Sequence, residues 1–192
     1  MPIVKQIESR RAYRALDSRP IPEEALGRLV EAAQMAPSCA NSQPWRILIA
    51  RDPAALAALK ESLTPGNYWA KPAPAIAAFV TSLGWDARLD AGRDYAFFDL
   101  GQAAMAFQLQ AVEEGLYVHP IAGFDPVRAK IALEIPEEAV LVALVILGYP
   151  GDPSGLNEKH RALEGSARTR KPIAEVSSFD RWSPELLPPP AK

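Results

Sequence analysis

The sequence lacks the short motifs with which many enzymes hold nucleotides. Its 192 residues contain no P-loop and no Gly-x-Gly-x-x-Gly following a strand. Lysine and arginine together number 21 against 23 aspartate and glutamate residues, so the chain has no basic excess of the kind that nucleic-acid binders show. The longest apolar run, at residues 139–149, is too short to span a bilayer. We therefore expect contacts with neither nucleic acid nor a membrane.

Cysteine and histidine are scarce as well. Cys39 is the only cysteine, so no disulfide can form within the chain, and with no secretory signal this predicts a cytoplasmic protein. Cys39, His119 and His160 are too few to predict a zinc site or another soft-metal site. A nucleophile pair of Cys39 and His119 is conceivable, but no local pattern supports it.

The composition is that of an ordinary globular domain. Hydrophobic residues make up 48% of the chain and charged residues 23%, which suits one domain with a substantial core. We place this domain at residues 1–176 and a proline-rich tail at residues 177–192. The end of the chain also holds apolar residues that a disordered segment would not need: Ile173, Val176, Phe179 and Trp182. We expect it to wrap over another surface, such as a second subunit, and the alternative is disorder beyond Pro184.

Hydrophobic periodicity predicts five helices and four strands. The helices are predicted at residues 3–14, 22–35, 53–63, 95–114 and 126–133, and the strands at residues 45–50, 75–81, 117–119 and 140–147. Asp52 is the predicted cap of the third helix. The last strand is continuously apolar, which predicts a central strand buried on both faces.

The predicted helix at residues 95–114 is the longest of the five. Its apolar residues run nearly all the way round, which is typical of a helix that is buried on most sides. Gly115 is its predicted end. In a domain of this size, a subunit interface is a natural place to bury such a helix.

Three arginines lie within five residues near the start of the chain: Arg10, Arg11 and Arg14. On a helix, Arg10 and Arg14 would share a face and repel one another by a few tenths of a kcal/mol. A bound anion would turn this repulsion into attraction, and the guanidinium group suits phosphate because it donates two parallel hydrogen bonds. The alternative is a solvated helix end that Glu8 and Asp17 balance.

Three further segments accompany the arginines, in the order Ala-Pro-Ser-Cys-Ala-Asn-Ser-Gln-Pro-Trp at residues 36–45, Pro-Ile-Ala-Gly-Phe-Asp at residues 120–125, and Arg-Thr-Arg-Lys-Pro at residues 168–172. Together with the arginine cluster, they resemble the FMN-dependent nitroreductase family over residues 3–176. The resemblance implies an α+β fold, with a central mixed or antiparallel sheet flanked by helices. It also implies a homodimer with two FMN sites at its interface.

The resemblance further implies which side chains hold FMN. The residues that match positions at the phosphate or at the polar edge of the flavin are Arg10, Arg11, Arg14, Arg168 and Arg170. The residues that would line the ring from the other subunit are Pro37, Ser38, Cys39 and Asn41. Asn67 and Lys71 match positions at the pyrimidine side of the ring, and the residues beside flavin N5 are Ile121, Ala122 and Gly123. From the residues alone, Asn41 could equally cap the loop backbone.

The activity that the resemblance implies is hydride transfer from NAD(P)H through flavin N5 to a small planar acceptor, such as a nitroaromatic or a quinone, with ping-pong kinetics. No protein side chain need act as acid or base, since the flavin carries the chemistry. Two alternatives stay open. One is oxygen-dependent flavin chemistry, such as flavin breakdown, dehalogenation or dehydrogenation. The other is a dimer that binds FMN without turnover.

The sequence departs from the family pattern at three places. Ala12 stands where many members carry serine, which removes a hydroxyl contact to phosphate worth on the order of 1 kcal/mol. Ala122 stands where one subgroup has glutamate beside the glycine, so the choice of substrate is open. The connection at residues 83–93 is short, where larger relatives insert helices that cover the flavin.

Overall fold

A five-stranded antiparallel sheet forms the centre of the computed structural model, which describes residues 3–188. The strands are β1 (Leu16–Asp17), β2 (Arg46–Ala50), β3 (Ala75–Thr81), β4 (Tyr117–Ile121) and β5 (Val140–Pro150). Strand β5 pairs with β1, β3 and β4, and β3 also pairs with β2. The predicted central position of β5 is therefore confirmed, and β1 is a strand that the sequence did not predict.

Successive side chains of β3 point to opposite faces of the sheet, so the core has two layers. Every residue of β3 is buried. Ile76 and Ala78 belong to the apolar core on one face of the sheet, whereas Ala77 and Phe79 belong to the core on the other face. A strand that packs on both faces needs apolar side chains at every position, which explains its continuous apolar sequence.

Helices cover both faces of the sheet. The helices are α1 (Lys5–Ser9), α2 (Glu23–Gln34), α3 (Pro53–Lys60), α4 (Tyr95–Glu113), α5 (Pro126–Ala132) and α6 (Glu158–Gly165). Helices α3 and α5 pack on the face that includes Ile76, and α2 and α4 pack on the face that includes Phe79. The predicted cap is confirmed, since the Asp52 carboxylate accepts hydrogen bonds from the amides of Ala54 and Ala55. No helix within residues 3–188 is long and apolar enough to cross a membrane.

Helix α4 is buried along one side and exposed at its first turn. Phe107 is fully buried, and its ring meets that of Phe79 edge to face at a centroid distance of 5.2 Å. Gly115 has φ +73°, the left-handed conformation that ends many helices. Phe97 and Phe98 are 43% and 62% exposed in the single chain, so the prediction of burial on most sides holds only for the later turns.

The predicted helix at residues 3–14 is wrong beyond Ser9. Helix α1 ends there, and residues 10–14 form neither helix nor strand. Tertiary hydrogen bonds replace the helical ones in this segment. The amides of Arg14 and Ala15 donate to the carboxylate of Glu164, and the Tyr13 carbonyl bonds to His119. Arg10 and Arg14 therefore do not share a helical face.

The end of the chain contains one helix that the sequence analysis missed. Asn157 caps α6 by accepting a hydrogen bond of 2.8 Å from the amide of His160. Between α6 and residue 188, the chain forms only short 3₁₀ turns, and Ile173 and Phe179 are 79% and 94% exposed. The apolar residues expected to anchor this segment are thus not buried by the described part of their own chain. Residues 189–192 of the predicted tail lie outside the described ones.

Candidate functional site

Five arginines surround one cavity of about 320 Å³. The cavity is lined by Arg10, Arg11, Ala12, Tyr13, Arg14, Leu163, Ser166, Ala167, Arg168, Thr169 and Arg170. Two segments far apart in the sequence therefore meet, as the resemblance implied. The carboxylate of Glu164, which follows the lining residue Leu163, accepts hydrogen bonds from the backbone amides of Arg14 and Ala15. The cavity presents a strongly positive concave surface.

Arg168 fixes the geometry of this cavity. Its guanidinium donates to the carbonyl oxygens of Ile7 at 3.2 Å and Glu8 at 2.8 Å, and also to that of Arg10. These carbonyls lie at the end of α1, where a helix leaves its acceptors without internal partners. Burial lowers the pKa of Arg10, and the charges of Arg168 and Arg170 lower it further. An anion in the cavity would relieve that repulsion.

A stack of rings lies under Arg14. The guanidinium carbon of Arg14 is 5.8 Å from the ring centroid of Trp69, and the Trp69 ring stacks on His119 at 4.4 Å. His119 Nδ1 donates to the Tyr13 carbonyl at 3.0 Å, which fixes the tautomer because a carbonyl can only accept. Burial lowers the pKa of His119 to about 4, with the charges of Arg14 and Arg10 acting in the same direction. His119 is therefore neutral at neutral pH and leaves the positive charge to the arginines.

Asn67 and Gly123 are in direct contact. The Gly123 carbonyl accepts three hydrogen bonds, from the Thr64 amide at 3.0 Å, from Thr64 Oγ1 at 3.0 Å and from Asn67 Nδ2 at 2.7 Å. A Cβ atom at Gly123 would lie 2.6 Å from Asn67 Nδ2 and 2.8 Å from Thr64 Oγ1, so any larger residue would displace the side chains that bond to this carbonyl. The sequence analysis missed Thr64, whose only signal was its place three residues before Asn67.

The remaining predicted residues of this region flank the contact. Lys71 is exposed and follows the 3₁₀ turn Pro65–Ala70, which carries Asn67. Ile121 is buried at the end of β4, and Ala122 is exposed immediately before Gly123. Strand β4 also contains His119, so it connects the ring stack to this contact. We call the arginine cavity, the ring stack and the Asn67–Gly123 contact together the arginine half of the site.

The loop with Pro37, Ser38, Cys39 and Asn41 lies on the other face of the sheet. The residues flanking it, Ala36 and Trp45, pack with α2 and α4, whereas Trp69 and Ile121 belong to the opposite core layer. Its own contacts are with α4 and the connection before α4, because the Cys39 amide donates to Asp99 Oδ2 at 2.7 Å and Ser42 Oγ donates to Asp86 Oδ1 at 2.6 Å. We call this loop, with Asp86 and Asp99, the loop half. Among residues 3–188, the lining of the arginine cavity includes no residue of the loop half.

Comparison with known proteins agrees with this geometry. The nitroreductase family model matches residues 7–67 and 62–149. A protein named NADH dehydrogenase from Thermus thermophilus is 34% identical, in an alignment that covers 74% of this chain and 84% of that protein. The 5,6-dimethylbenzimidazole synthase of Rhodospirillum rubrum is 29% identical, in an alignment that covers 85% of this chain and 89% of that enzyme.

Among solved structures, the crystal structure of an oxidoreductase containing FMN has a TM-score of 0.84 at 29% identity, covering 95% of this chain and 94% of that one. This likeness confirms the predicted α+β fold, with the sheet antiparallel throughout residues 3–188. With a family match that extends over most of residues 7–149, the chain belongs to the nitroreductase family.

Proposed function

We propose that this protein is an FMN-dependent oxidoreductase that takes electrons from NAD(P)H and gives them to a small planar acceptor. The observation that carries the proposal is the cavity in which Arg10, Arg11, Arg14, Arg168 and Arg170 converge, connected by β4 to the Asn67–Gly123 contact. When bound, FMN would supply acceptance of a hydride at N5 and its transfer to the acceptor. The membership of the nitroreductase family supports the same reading.

The residues present fit FMN. The phosphate dianion would lie among the arginines, where it offsets the mutual repulsion that lowers the pKa of Arg10. The pyrimidine edge of the ring needs both donors and acceptors, and the Asn67 amide supplies both. The backbone around Ala122 and Gly123 would approach the ring closely, which suits a position where a Cβ atom has no room. Lys71 would lie near the same edge and favour negative charge on the ring.

We further propose that the site is completed by a second copy of the chain. Pro37, Ser38, Cys39 and Asn41 lie between Ala36 and Trp45, which belong to the core layer opposite that of Trp69 and Ile121, so they would reach the ring of the partner's site. The homodimer would cover Phe97 and Phe98, which are exposed in the single chain. Residues 177–192 would form a tail over the second copy, outside the domain at residues 1–176.

An absorption spectrum of the purified protein tests the function. We expect flavin bands that bleach when NADPH or NADH is added without oxygen, and the faster donor is the preferred one. Initial rates at varied donor and acceptor concentrations should give parallel lines, because both substrates would use one open pocket in turn. Converging lines would reject the ping-pong scheme, and a colourless protein that FMN does not stabilise against heat would reject the flavin site.

Subunit complementation tests the shared site. An Arg10→Ala/Arg14→Ala subunit and an Asn41→Ala subunit carry defects in different halves, so their heterodimer should contain one intact site. We expect the heterodimer to bind about half the FMN of the wild-type dimer, whereas each mutant homodimer binds far less. Equal loss in the heterodimer and the homodimers would mean that both halves come from the same chain.

Oxygen-dependent flavin chemistry is a second candidate, because the connection at residues 83–93 holds only the short 3₁₀ turn Leu83–Trp85 and no α-helix that would cover the flavin. Ala122 supplies no carboxylate beside the expected position of N5, which is compatible with either reaction. Slow oxidation of NAD(P)H followed by fast reoxidation in air would favour this candidate. Flavin bands that persist with excess NADPH and NADH would favour a dimer that binds FMN without turnover.

A further inference from the structure

The backbone of the loop in the loop half is strained at residues 40–43. Ala40, Asn41 and Gln43 have φ angles of 49°, 57° and 49°, which is the left-handed region that non-glycine residues seldom adopt. Such conformations persist only where surrounding contacts determine them. Three of them within four residues therefore require strong external bonds.

Two carboxylates supply those bonds. Asp99 Oδ2 accepts the Cys39 amide at 2.7 Å at the start of the strained turn, and Asp86 Oδ1 accepts Ser42 Oγ at 2.6 Å at its end. Two further hydrogen bonds hold the carboxylates in place. Gln102 Nε2 donates to Asp99 Oδ1 at 3.0 Å, and the Ala87 amide donates to Asp86 Oδ1 at 2.7 Å. The loop is thus clamped from α4 and from the connection that precedes it.

The two carboxyl groups also meet each other. Asp99 is 1% exposed, and the Asp86 side chain lies within hydrogen-bonding reach of it. Asp86 Oδ2 is buried and receives no hydrogen bond from any group within residues 3–188. Two ionised carboxylates cannot bond to one another, so a proton between them resolves both the contact and the unpaired oxygen.

The charged groups around the pair do not replace this proton. Arg46 on β2 lies over the Trp85 ring at 4.9 Å, and Arg88 pairs with Asp94 at 3.4 Å. Burial raises the pKa of Asp99; the Cys39 amide and Gln102 lower it, while the Asp86 carboxyl raises it further. The net direction for the pKa of Asp99 is upward.

We propose that Asp86 and Asp99 are positioning residues that share one proton between their carboxyl groups, and that this hydrogen bond holds residues 38–42 in the conformation that meets the flavin ring of the second copy. The role in flavin binding rests on the function proposed above. Loss of the proton leaves two negative charges in contact and releases the strained turn. Because the two carboxyl groups are in contact and can attract each other only while they share the proton, the loop is held at low pH and loosens as the pH rises.

Two amide substitutions separate this proposal from a generic need for acidic residues. Asp86→Asn places a permanent donor against Asp99 while its carbonyl oxygen still accepts from Ser42 and Ala87. Asp99→Asn replaces one of two oxygens that both accept hydrogen bonds, so it must lose a contact with Cys39 or Gln102. Asp90→Asn is the matched control, because Asp90 lies in the same connection, is exposed and pairs with Arg93.

The measurement is the dissociation constant of FMN between about pH 6 and about pH 9. We expect wild-type protein and Asp90→Asn to bind FMN about tenfold more weakly at the high end of this range. Asp86→Asn should lose this dependence and bind more tightly than wild type at high pH, and Asp99→Asn should bind weakly throughout. A pH dependence in Asp86→Asn equal to that of wild type would overturn the shared proton.

A second readout needs no flavin. Cys39 is the only cysteine of the chain and lies in the strained turn, so its reaction rate with an aromatic disulfide reports loop opening. The ratio of the wild-type rate to the Asp86→Asn rate cancels the pH dependence of the thiol itself. We expect this ratio to rise about fivefold or more as the pH rises. If the protein binds no FMN, the proposed function fails, while a constant ratio rejects the shared proton independently.

Discussion

The two halves of the candidate site treat charge in opposite ways. In the arginine half, the buried histidine stays neutral, with the pKa of His119 lowered to about 4, and five arginines line a cavity whose lining within residues 3–188 includes no acidic residue. In the loop half, burial raises the pKa of Asp99 beside Asp86, so negative charge is suppressed. One rule explains both shifts, since removal of a group from water favours its neutral form.

The difference shows what each half is built to do. The arginine half keeps its positive charge available, as a site for an anion must. The loop half instead uses its acidic groups to hold backbone, with the Cys39 amide and Ser42 hydroxyl bound to carboxylate oxygens. The halves should therefore weaken at opposite ends of the pH scale, and each can be broken without the other.

The largest effect is expected from removal of the arginines. Arg10→Ala/Arg14→Ala deletes two charged donors, each worth about 2 kcal/mol to a bound phosphate, so FMN affinity should fall by roughly a thousandfold. Helix α4 and the loop half are untouched, so the variant should remain folded and self-associated. Flavin titration and sedimentation measure the two properties.

The matched control removes the same charge elsewhere. Arg93→Ala/Arg128→Ala deletes two exposed arginines that pair with aspartates three residues away. We expect near wild-type FMN affinity, because exposed ion pairs contribute little. Equal loss in both double variants would mean that net charge, rather than the cavity, governs binding.

The stability of the arginine half at low pH depends on His119. Its folded pKa of about 4 lies below the ordinary value of 6.5, so its contribution to stability is complete above 6.5 and is lost as the pH falls towards 4. The flavin-free protein should lose up to about 3 kcal/mol of unfolding free energy over that window. Denaturant unfolding of wild type and His119→Gln measures it, and the variant should show a flatter pH profile.

His160 provides the control for this prediction. It is only half-buried, and its ring nitrogen bonds to the Tyr68 hydroxyl. Burial lowers its pKa in the same direction, so His160→Gln should change the acid profile less than His119→Gln does. A larger effect at His160 would show that the ring stack under Arg14 is not the acid-sensitive element.

The sequence predicted the sheet and most helices because their signals are local. Strand β3 (Ala75–Thr81) was placed without error, since a strand buried on both faces is apolar at every position. Residues 10–14 were misassigned because their backbone bonds to Glu164 and His119, which lie far away in sequence. Helix α6 was missed since its apolar content is low, although Asn157 carried a capping signal.

For the site, the sequence indicated which residues belong together by charge or by motif, but not on which face of the sheet each of them lies. It predicted that Arg10 and Arg168 belong together, and the structure brings them into one cavity. It contained only one hint of the carboxyl pair, namely Asp99 inside an otherwise apolar stretch of α4. The contact with Asp86 depends on the path of the connection at residues 83–93, which no local pattern specifies.

The smallest of these effects concerns shape rather than charge, within the arginine half. Gly123→Ala introduces a Cβ atom 2.6 Å from Asn67 Nδ2, so the amide must leave the Gly123 carbonyl. We expect FMN affinity and unfolding free energy each to fall by about 2 kcal/mol, and flavin titration and denaturant unfolding measure the two losses. Gly66→Ala is the control, because a Cβ atom there meets nothing within 4 Å.

The comparison between the two glycine variants separates positioning from chain flexibility. Both substitutions stiffen the unfolded chain equally, so that contribution cancels between them. If Gly66→Ala weakens FMN binding as much as Gly123→Ala, the Asn67 contact is not what orients this edge of the site. If only Gly123→Ala weakens FMN binding, and this variant keeps the pH dependence assigned to the Asp86–Asp99 pair, the two halves act independently. The flavin ring is then oriented by the Asn67–Gly123 contact on one side and by the loop that the shared proton holds on the other.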